Sequence, residues 1–312
     1  MTRIAVAGVL NIRTAWRIER FPVSLVSRAR SNAIDNGGLS VAPGGSGWTV
    51  ARTLQQLGDE VVFATYVGAD ALGAVAVSAL REHGLYGPTT LRCADQPRAV
   101  VLYDRAGHRA GVSDLRSTPG LSYPAEEFDQ AIAGCGFAVL TNIGFTRPLI
   151  PVAVDRGLPI ATDLHIVDDV DDAYNRPWLA AGQVVACSHE GLPCSAEDWV
   201  SQVWRRFGTP VVLVGCGADG AVVGVRETGT IWQVHPTTPR GVRYVNGAGD
   251  TLLGSFTHHY AALGDAVDAA RHAVLTAGWY VGGGPEPARP ITAARLATIR
   301  EDLGLPPATR LR

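Results

Sequence analysis

The segment Val245-Asn246-Gly247-Ala248-Gly249-Asp250-Thr251-Leu252-Leu253-Gly254-Ser255-Phe256 combines a glycine-rich turn with the start of an apolar segment. Gly247, Ala248 and Gly249 have little or no side chain, so backbone N–H groups can approach a ligand oxygen closely. The positive end of a following helix would add to the attraction for an anion. The apolar positions after the turn recur at three- and four-residue steps, as on the buried face of a helix: Leu252, Leu253, Phe256, Tyr260 and Leu263. The segment therefore predicts a rigidly mounted phosphate-binding turn.

Asp250 has two interpretations when only its position after the glycines is considered. It is either a carboxylate that faces the ligand held by the turn, or a helix-capping residue beside an ordinary tight turn. The spacing alone does not separate these two roles, so other segments of the chain must be compared.

The motif Gly-Ala-Gly-Asp-Thr at 247–251, followed by an apolar helix, resembles the second signature of the PfkB, or ribokinase-like, family of carbohydrate and nucleoside kinases. The resemblance implies that Asp250 is the general base and that Gly247, Ala248 and Gly249 hold the transferring phosphoryl group. It also implies an α/β fold, the ribokinase-like three-layer α/β/α arrangement with a mainly parallel central sheet plus a small β-sheet lid.

The composition is that of an ordinary globular protein. The 312 residues are 46% hydrophobic and 18% charged, enough for one large core or two modest ones. The 27 basic and 29 acidic residues predict no nucleic-acid partner. No apolar run approaches the length of a membrane span and no signal-peptide pattern is present, so we expect a cytoplasmic protein without a membrane partner. The 5 cysteines lack C-x-x-C spacing and predict neither disulfides nor a zinc site.

All 27 basic residues are arginines, and the chain contains no lysine. A Walker A loop, the strand lysine of protein kinases and Schiff-base chemistry each require a lysine, so these mechanisms are excluded. Backbone N–H groups, arginine or a metal must therefore bind any phosphate.

Residues 11–22 alternate between apolar and polar side chains, like a strand with one open face, whereas residues 30–44 are polar and rich in turn formers. The pattern fits either a small sheet that covers a ligand or an ordinary edge hairpin. The family resemblance implies one kinase domain over 1–312, with a lid formed by segments at approximately 11–42 and 97–113.

Gly44-Gly45-Ser46-Gly47 is a second glycine turn that leads into a helix, and Gly58 is the expected stop signal. This region resembles the first signature of the family, with Thr49 at the position of the usual asparagine. The resemblance implies that Gly44, Gly45 and Thr49 bind substrate hydroxyls.

Two further local predictions follow from turn and cap patterns. Residues 61–67 read as a strand, and Asp70 as the cap of a helix that ends near Gly84. Residues 99–113 predict a hairpin.

From residue 137 onward short apolar strands alternate with helical segments. The strands are expected at 137–140, 159–162, 184–186 and 211–214. This alternation predicts βαβ units in a parallel sheet, whose ligands lie at the carboxyl ends of the strands.

Three polar residues fall at these expected strand ends, namely Asn142, Asp163 and Glu190. Asp163 resembles the family's D-x-N strand end, with His165 in place of asparagine. Glu190 resembles a glutamate that acts through Mg²⁺ and phosphate, which makes it the candidate metal ligand. Asn142 and Asp163 become candidate substrate contacts, and a capping role stays open for each of the three.

Residues 211–220 read as a strand followed by G-x-G-x-x-G, the dinucleotide-binding fingerprint. The continuation at 221–225 is another β-rich run, so the glycines predict a hairpin where the fingerprint needs a helix. The family resemblance implies instead that this loop helps to hold the nucleotide. The candidate nucleotide contacts are Gly215, Gly217, Gly220, Glu190 and Asn246.

Arg13 stands where the family often has an aspartate that binds sugar hydroxyls. An arginine side chain only donates hydrogen bonds, and its planar fork suits a carboxylate or phosphate. Two interpretations stay open: the substrate is anionic, or Arg13 points away from it.

The sequence therefore predicts ATP-dependent, Mg²⁺-assisted phosphorylation of a hydroxyl on a sugar or sugar-like small molecule. A nucleoside kinase of the same fold is one alternative, and a non-catalytic sugar- or nucleotide-binding protein is the other. A monovalent cation and a homodimer are open additions to this prediction.

Overall fold

The computed structural model describes residues 2–18, 21, 38–105, 108–285 and 290–312. Most of the predicted first lid segment, together with the tip of the second, lies outside these residues.

The described residues form strands and helices along the whole chain. The strands are β1 Arg3–Ala7, β2 Asn11–Arg17, β3 Leu39–Gly44, β4 Glu60–Gly68, β5 Thr90–Cys93, β6 Arg98–Tyr103, β7 Arg109–Asp114, β8 Phe137–Leu140, β9 Ile160–Ile166, β10 Val184–Ser188, β11 Val211–Gly215, β12 Ala221–Val225, β13 Thr230–Val234 and β14 Ala308–Arg310. The helices are α1 Ser46–Leu57, α2 Ala71–Glu82, α3 Ala125–Ala131, α4 Leu149–Asp155, α5 Arg176–Ala181, α6 Ala196–Phe207, α7 Ala248–Leu263, α8 Ala266–Val281 and α9 Ala293–Leu303.

The central sheet is mainly parallel, as predicted. Its strand order is β14-β13-β12-β11-β10-β9-β8-β1-β4-β5. The run from β11 to β5 is parallel throughout, whereas β12, β13 and β14 add to the β11 edge in antiparallel fashion. Because β11 and β12 pair antiparallel, the G-x-G-x-x-G segment is a hairpin turn, which confirms its exclusion as a dinucleotide fingerprint.

The three-layer arrangement follows from the alternation of side chains along the buried strands. In β1, Ile4 and Val6 pack into the core shared with α1, α2, α7 and α8. Ala5 and Ala7 face the opposite core, which contains α3, α4, α5 and α6. The sheet is therefore covered by helices on both faces.

The second sheet is small and has the order β3-β2-β6-β7. Strands β2 and β6 are parallel, and β3 and β7 pair antiparallel on either side of them. The predicted hairpin at 99–113 is confirmed as β6 and β7. The side chains of β7 are exposed along its whole length.

Two sequence-based predictions are wrong in detail. Residues 39–44 are strand β3, not part of a polar turn region, because they pair with β2 from Asn11 to Trp16. Strand β9 continues to Ile166, so Asp163 lies within the strand and not at its end. The register of β9 on β10 shifts between Ala186 and Ser188, which allows the extension.

Helix α1 begins against the end of β1 with almost no space between the two backbones. A Cβ atom on Gly47 would lie 2.5 Å from the carbonyl carbon of Gly8. Gly58 has φ 104 and ends the helix in the left-handed conformation, as the stop signal predicted. Asp70 is confirmed as a cap, since its Oδ1 accepts a hydrogen bond from the Gly73 N–H at 2.8 Å.

None of the helices in the described ranges is both long and apolar enough to cross a membrane. All 5 cysteines are free.

We predict that Gly47→Ala lowers the free energy of unfolding by about 1–3 kcal/mol, since the added methyl collides with backbone that cannot move aside alone. The matched control is Gly87→Ala, because no atom lies within 4 Å of a Cβ built there. The control should change stability by at most about 0.5 kcal/mol. Urea unfolding of both variants checks this, and equal midpoints would contradict the close approach.

Candidate active site

The glycine turn that precedes α7 has a backbone conformation that favours glycine. Gly247 is the residue before the helix and has φ 92. The Ala248 N–H donates to the Val245 carbonyl at 3.1 Å, and the Thr251 N–H and hydroxyl both donate to the Gly247 carbonyl. Within the described chain, the N–H groups of Gly249 and Asp250 have no acceptor, as expected in the first turn of a helix. These two N–H groups and the helix end form an anion-binding turn.

Asp250 lies in the first turn of α7 and is partly exposed, but one oxygen of its carboxylate is turned away from solvent. Its Oδ1 atom is shielded from water and has no hydrogen-bond partner among the residues described. The pKa of the Asp250 carboxyl is raised from 3.8 to about 6, mainly by burial and in part by the neighbouring Asp163 carboxylate. His165, Arg13 and Arg109 act in the opposite direction on this pKa. A carboxylate with this pKa suits proton transfer near neutral pH.

Asp163 and His165 bring a second polar group to the start of α7. The Asp163 Oδ1 accepts a hydrogen bond from the His165 backbone N–H at 2.8 Å, and its Oδ2 lies 3.5 Å from His165 Nδ1. His165 has φ 58, an uncommon conformation for a residue with a side chain. Ligand atoms of Asp163, His165 and Asp250 all lie within 4.8 Å of one another.

Helix α8 supports the glycine turn from behind. The Tyr280 hydroxyl donates to the Asn246 carbonyl at 2.9 Å. A Cβ on Gly247 would lie 2.6 Å from this hydroxyl oxygen and 3.6 Å from the Thr49 methyl. The first and second glycine turns are therefore neighbours in the fold, with Thr49 between them. The Thr49 hydroxyl itself donates to the Gly45 carbonyl at 3.0 Å.

Arg13 lies in β2 and is almost fully buried, with 4% of its surface exposed. Its Nη2 donates to the Pro285 carbonyl at 3.0 Å, and its guanidinium lies 5.2 Å from the centre of the Tyr244 ring. A Cβ on Gly44 would lie 3.3 Å from Arg13 Nη1. Because Arg13 also acts on the Asp250 pKa, it faces the same region as the glycine turn.

Arg109, at the start of β7, connects the small sheet to two candidate residues. Its Nη1 donates to Asn246 Oδ1 at 3.3 Å, and its Nη2 lies 3.5 Å from Glu190 Oε2. Glu190 lies in the short turn that follows β10. The Arg109 guanidinium therefore lies between Glu190 and the glycine turn and contacts both.

The loop between β11 and β12 lies beside the turn that carries Glu190. His189 Nδ1 is 3.0 Å from the Gly215 carbonyl oxygen, and the Cys216 N–H donates to the Gly220 carbonyl at 2.8 Å. Gly217 and Gly220 have φ 56 and 85, and a Cβ on Gly220 would collide with the Val234 carbonyl at 2.2 Å. The glycines are therefore required by this tight turn.

Asn142 is engaged elsewhere in the structure. Its amide nitrogen donates to Asn175 Oδ1 at 3.0 Å and to the Leu164 carbonyl at 3.3 Å. These bonds hold the segment after β8, and a substrate contact by Asn142 stays a prediction.

Sequence reasoning did not select Arg109 and Tyr280, although both contact the glycine turn. Arg109 follows the predicted hairpin turn, and Tyr280 ends a helical segment. Nothing in either local pattern indicates the long-range contact that each makes with Asn246.

The sequence profile of pfkB family carbohydrate kinases matches residues 1–110 and 191–284. The chain belongs to this family. The curated relative HldE, a bifunctional protein of Paramagnetospirillum magneticum, is 28% identical over 258 residues, which cover 77% of this chain and 52% of that protein. The chain thus spans about half the length of that relative.

Solved structures show the same fold. A microbiome-derived acarbose kinase superposes with a TM-score of 0.81 at 24% identity, covering 95% of this chain and 99% of its own. The ribokinase of Arabidopsis thaliana, solved with ribose and ATP, gives a TM-score of 0.76 at 17% identity, covering 96% and 98%. The ribokinase-like fold predicted from the sequence is confirmed.

We predict that Asp250→Asn changes how stability depends on pH, in favour of the variant as pH rises. A carboxyl pKa that is raised in the folded state, from 3.8 to about 6, means that wild-type stability falls as pH rises through this interval and stays lower above it. The variant lacks this loss. The free energy of unfolding of the variant minus that of the wild type should therefore be roughly 2–3 kcal/mol larger at pH 7.5 than at pH 4.

Urea unfolding of both proteins at pH 4 and 7.5 measures this change. The control is Glu227→Gln, which alters an exposed carboxylate in the turn after β12. A wild-type-to-variant difference that is the same at both pH values would show that Asp250 is not shielded in this way.

Proposed function

We propose that this protein transfers the γ-phosphoryl group of ATP to a hydroxyl of a sugar or sugar-like molecule. The observation that carries the proposal is the Asp250 carboxylate, one oxygen of which is shielded from water, beside an anion-binding turn with free N–H groups. A base and a phosphate-binding site thus lie next to each other, as phosphoryl transfer to a hydroxyl requires.

In the proposed reaction, the acceptor hydroxyl gives its proton to Asp250 as its oxygen attacks the γ-phosphorus. The new oxygen–phosphorus bond forms while the bond from the γ-phosphorus to the leaving oxygen breaks, and ADP leaves. The N–H groups of Gly249 and Asp250 and the positive end of α7 stabilise the charge on the transferring group. Gly247 and Ala248 shape the turn that presents these donors.

The nucleotide is assigned to the side of the site formed by Asn246, Glu190 and the β11–β12 loop with Gly215, Gly217 and Gly220. The Arabidopsis ribokinase solved with ATP has the same fold, which supports ATP as the donor. Arg109 adds a cation between Asn246 and Glu190, where phosphate oxygens would add negative charge.

Mg²⁺ fits the donors on the nucleotide side of the site. Mg²⁺ prefers oxygen ligands and is usually held by one or two carboxylates together with substrate phosphates. The Glu190 carboxylate is of this type and is half exposed. A bound Mg²⁺ would neutralise phosphate charge. The group of Asp163, His165 and Asp250 includes an imidazole, which suits Mg²⁺ less well.

The acceptor is assigned to the side formed by Arg13, Gly44, Gly45, Thr49 and Asp163. The small sheet of β2, β3, β6 and β7 acts as a lid over this side in our proposal. The contact from Arg109 in β7 to Asn246 supports this role, since it joins the sheet to the glycine turn. The cytoplasmic location, the homodimer and a monovalent cation stay predictions.

Asp250→Asn should lower kcat by roughly 10²–10⁴-fold, because the base is removed while the turn is kept. ADP release with Mg·ATP and a panel of sugars, sugar acids, sugar phosphates and nucleosides measures this loss. The matched control is Asp129→Asn, since Asp129 is an exposed residue paired with Arg156 away from the site. Turnover by Asp250→Asn close to that of the control would rule out the proposed base.

The pH profile gives a separate prediction. Asp250 accepts a proton only when it is ionised, so kcat/KM should fall below a pH of about 6, the pKa to which burial raises this carboxyl. Initial rates between pH 4.5 and 8.5, with folding checked at each pH, would locate the pH at which kcat/KM begins to fall. A profile that stays flat down to pH 4.5 contradicts a base with a raised pKa.

A further inference from the structure

We propose that the acceptor carries an anionic group, a carboxylate or a phosphate monoester, that Arg13 binds. This inference rests on the proposed function, because it names the class of molecule that enters the acceptor side of the same site. It selects the first of the two interpretations that the sequence left open for Arg13.

The pairing of Arg13 is incomplete for a buried cation. Only 4% of the residue is exposed, and its Nε atom is shielded from water without a hydrogen-bond partner in the described part of the chain. No carboxylate of the described residues lies within 4.0 Å of its guanidinium, and the Pro285 carbonyl is a neutral acceptor. Buried charges are normally paired, so a buried guanidinium without a carboxylate partner among the described residues points to a ligand anion.

Arg13 is also held in place before any ligand binds. It lies in the middle of β2, with β3 on one side and β6 on the other. Its guanidinium packs near the Tyr244 ring, and its Nη2 is fixed by the Pro285 carbonyl. A guanidinium held in this way can form directed hydrogen bonds to planar or tetrahedral oxyanions with little loss of side-chain freedom.

Asn11 supplies a complementary acceptor two residues before Arg13 in β2, on the same face of the strand. Its Oδ1 atom is shielded from water and lacks a donor among the described residues. Gly44 lies opposite Asn11, and a Cβ there would lie 3.0 Å from this Oδ1 and 3.3 Å from Arg13 Nη1. Glycine at position 44 therefore avoids a close contact with both polar groups.

The pair therefore offers one acceptor for a hydroxyl and one cation for an oxyanion. A neutral sugar would satisfy Asn11 but would leave the Arg13 Nε–H with only a neutral partner. A polyhydroxylated acid or a sugar phosphate satisfies both groups. Asp250 would repel such an anion unless Arg13 offsets its charge, which its effect on the Asp250 pKa indicates that it does.

Calorimetric titration of the wild-type protein without ATP tests the inference apart from any turnover. The probes are matched sets of ribose, ribonate and ribose 5-phosphate, and of glucose, gluconate and glucose 6-phosphate. At least one anionic sugar should bind about 10- to 100-fold more tightly than its neutral counterpart, as expected for a charge-assisted hydrogen bond. Comparison of the sugar acid with the sugar phosphate in each set shows which oxyanion the site accepts.

Arg13→Gln should remove this preference, and Arg13→Lys should restore part of it, since lysine keeps the charge and loses the fork. The control is Arg156→Gln, which removes an exposed arginine paired with Asp129. Thermal unfolding of each variant shows whether it is folded, and the wild-type comparison of probes does not depend on the variants.

The inference is overturned if no anionic sugar binds more tightly than its neutral counterpart. It is also overturned if Arg13→Gln keeps the preference, or if this variant only raises the KM for ATP by the same factor with every acceptor, which would assign Arg13 to the nucleotide phosphates. The proposed function fails separately, if wild-type protein releases no ADP with any acceptor of the panel, whatever it binds.

Discussion

A carboxylate with one oxygen shielded from water, in the first turn of α7, is the constraint on which the site depends. Ionising Asp250 there costs free energy, because its Oδ1 lacks a donor in the described structure. The unpaired N–H groups of the same helix end stabilise negative charge and offset part of this cost. The packing of α7 between α1 and α8 keeps the carboxylate in place. A base is thus held ready beside an anion-binding turn.

The positively charged groups that counteract the effect of burial on the Asp250 pKa come from three distant parts of the chain. Arg13 lies in β2, Arg109 in β7 and His165 in β9, and all three lower the Asp250 pKa. Two of them belong to the small sheet, so the electrostatics of the base depend on how that sheet is placed. A change in the small sheet would therefore alter both acceptor binding and proton transfer.

Features controlled by local sterics were predictable from residue order. The glycine turn before α7, the cap at Asp70 and the β11–β12 hairpin were each indicated by a few neighbouring residues. The errors arose where pairing across the sheet controls the outcome. Strand β9 extends past Asp163 because it follows β10 through a register shift, and residues 39–44 are a strand because β2 pairs with them.

Residue order alone was sufficient for the parallel α/β sheet and the glycine turns, since both depend on backbone sterics or on the period of apolar side chains. Asp250 became the candidate base only through the resemblance of residues 247–251 to the kinase family, because its position after the glycines fits a helix cap equally well. Folding was needed to set the pKa of Asp250, the burial of Arg13 and the contacts of Arg109 and Tyr280 with Asn246. Desolvation and Coulomb interactions depend on distance in space, and residues far apart in sequence reach these distances only when the chain is folded.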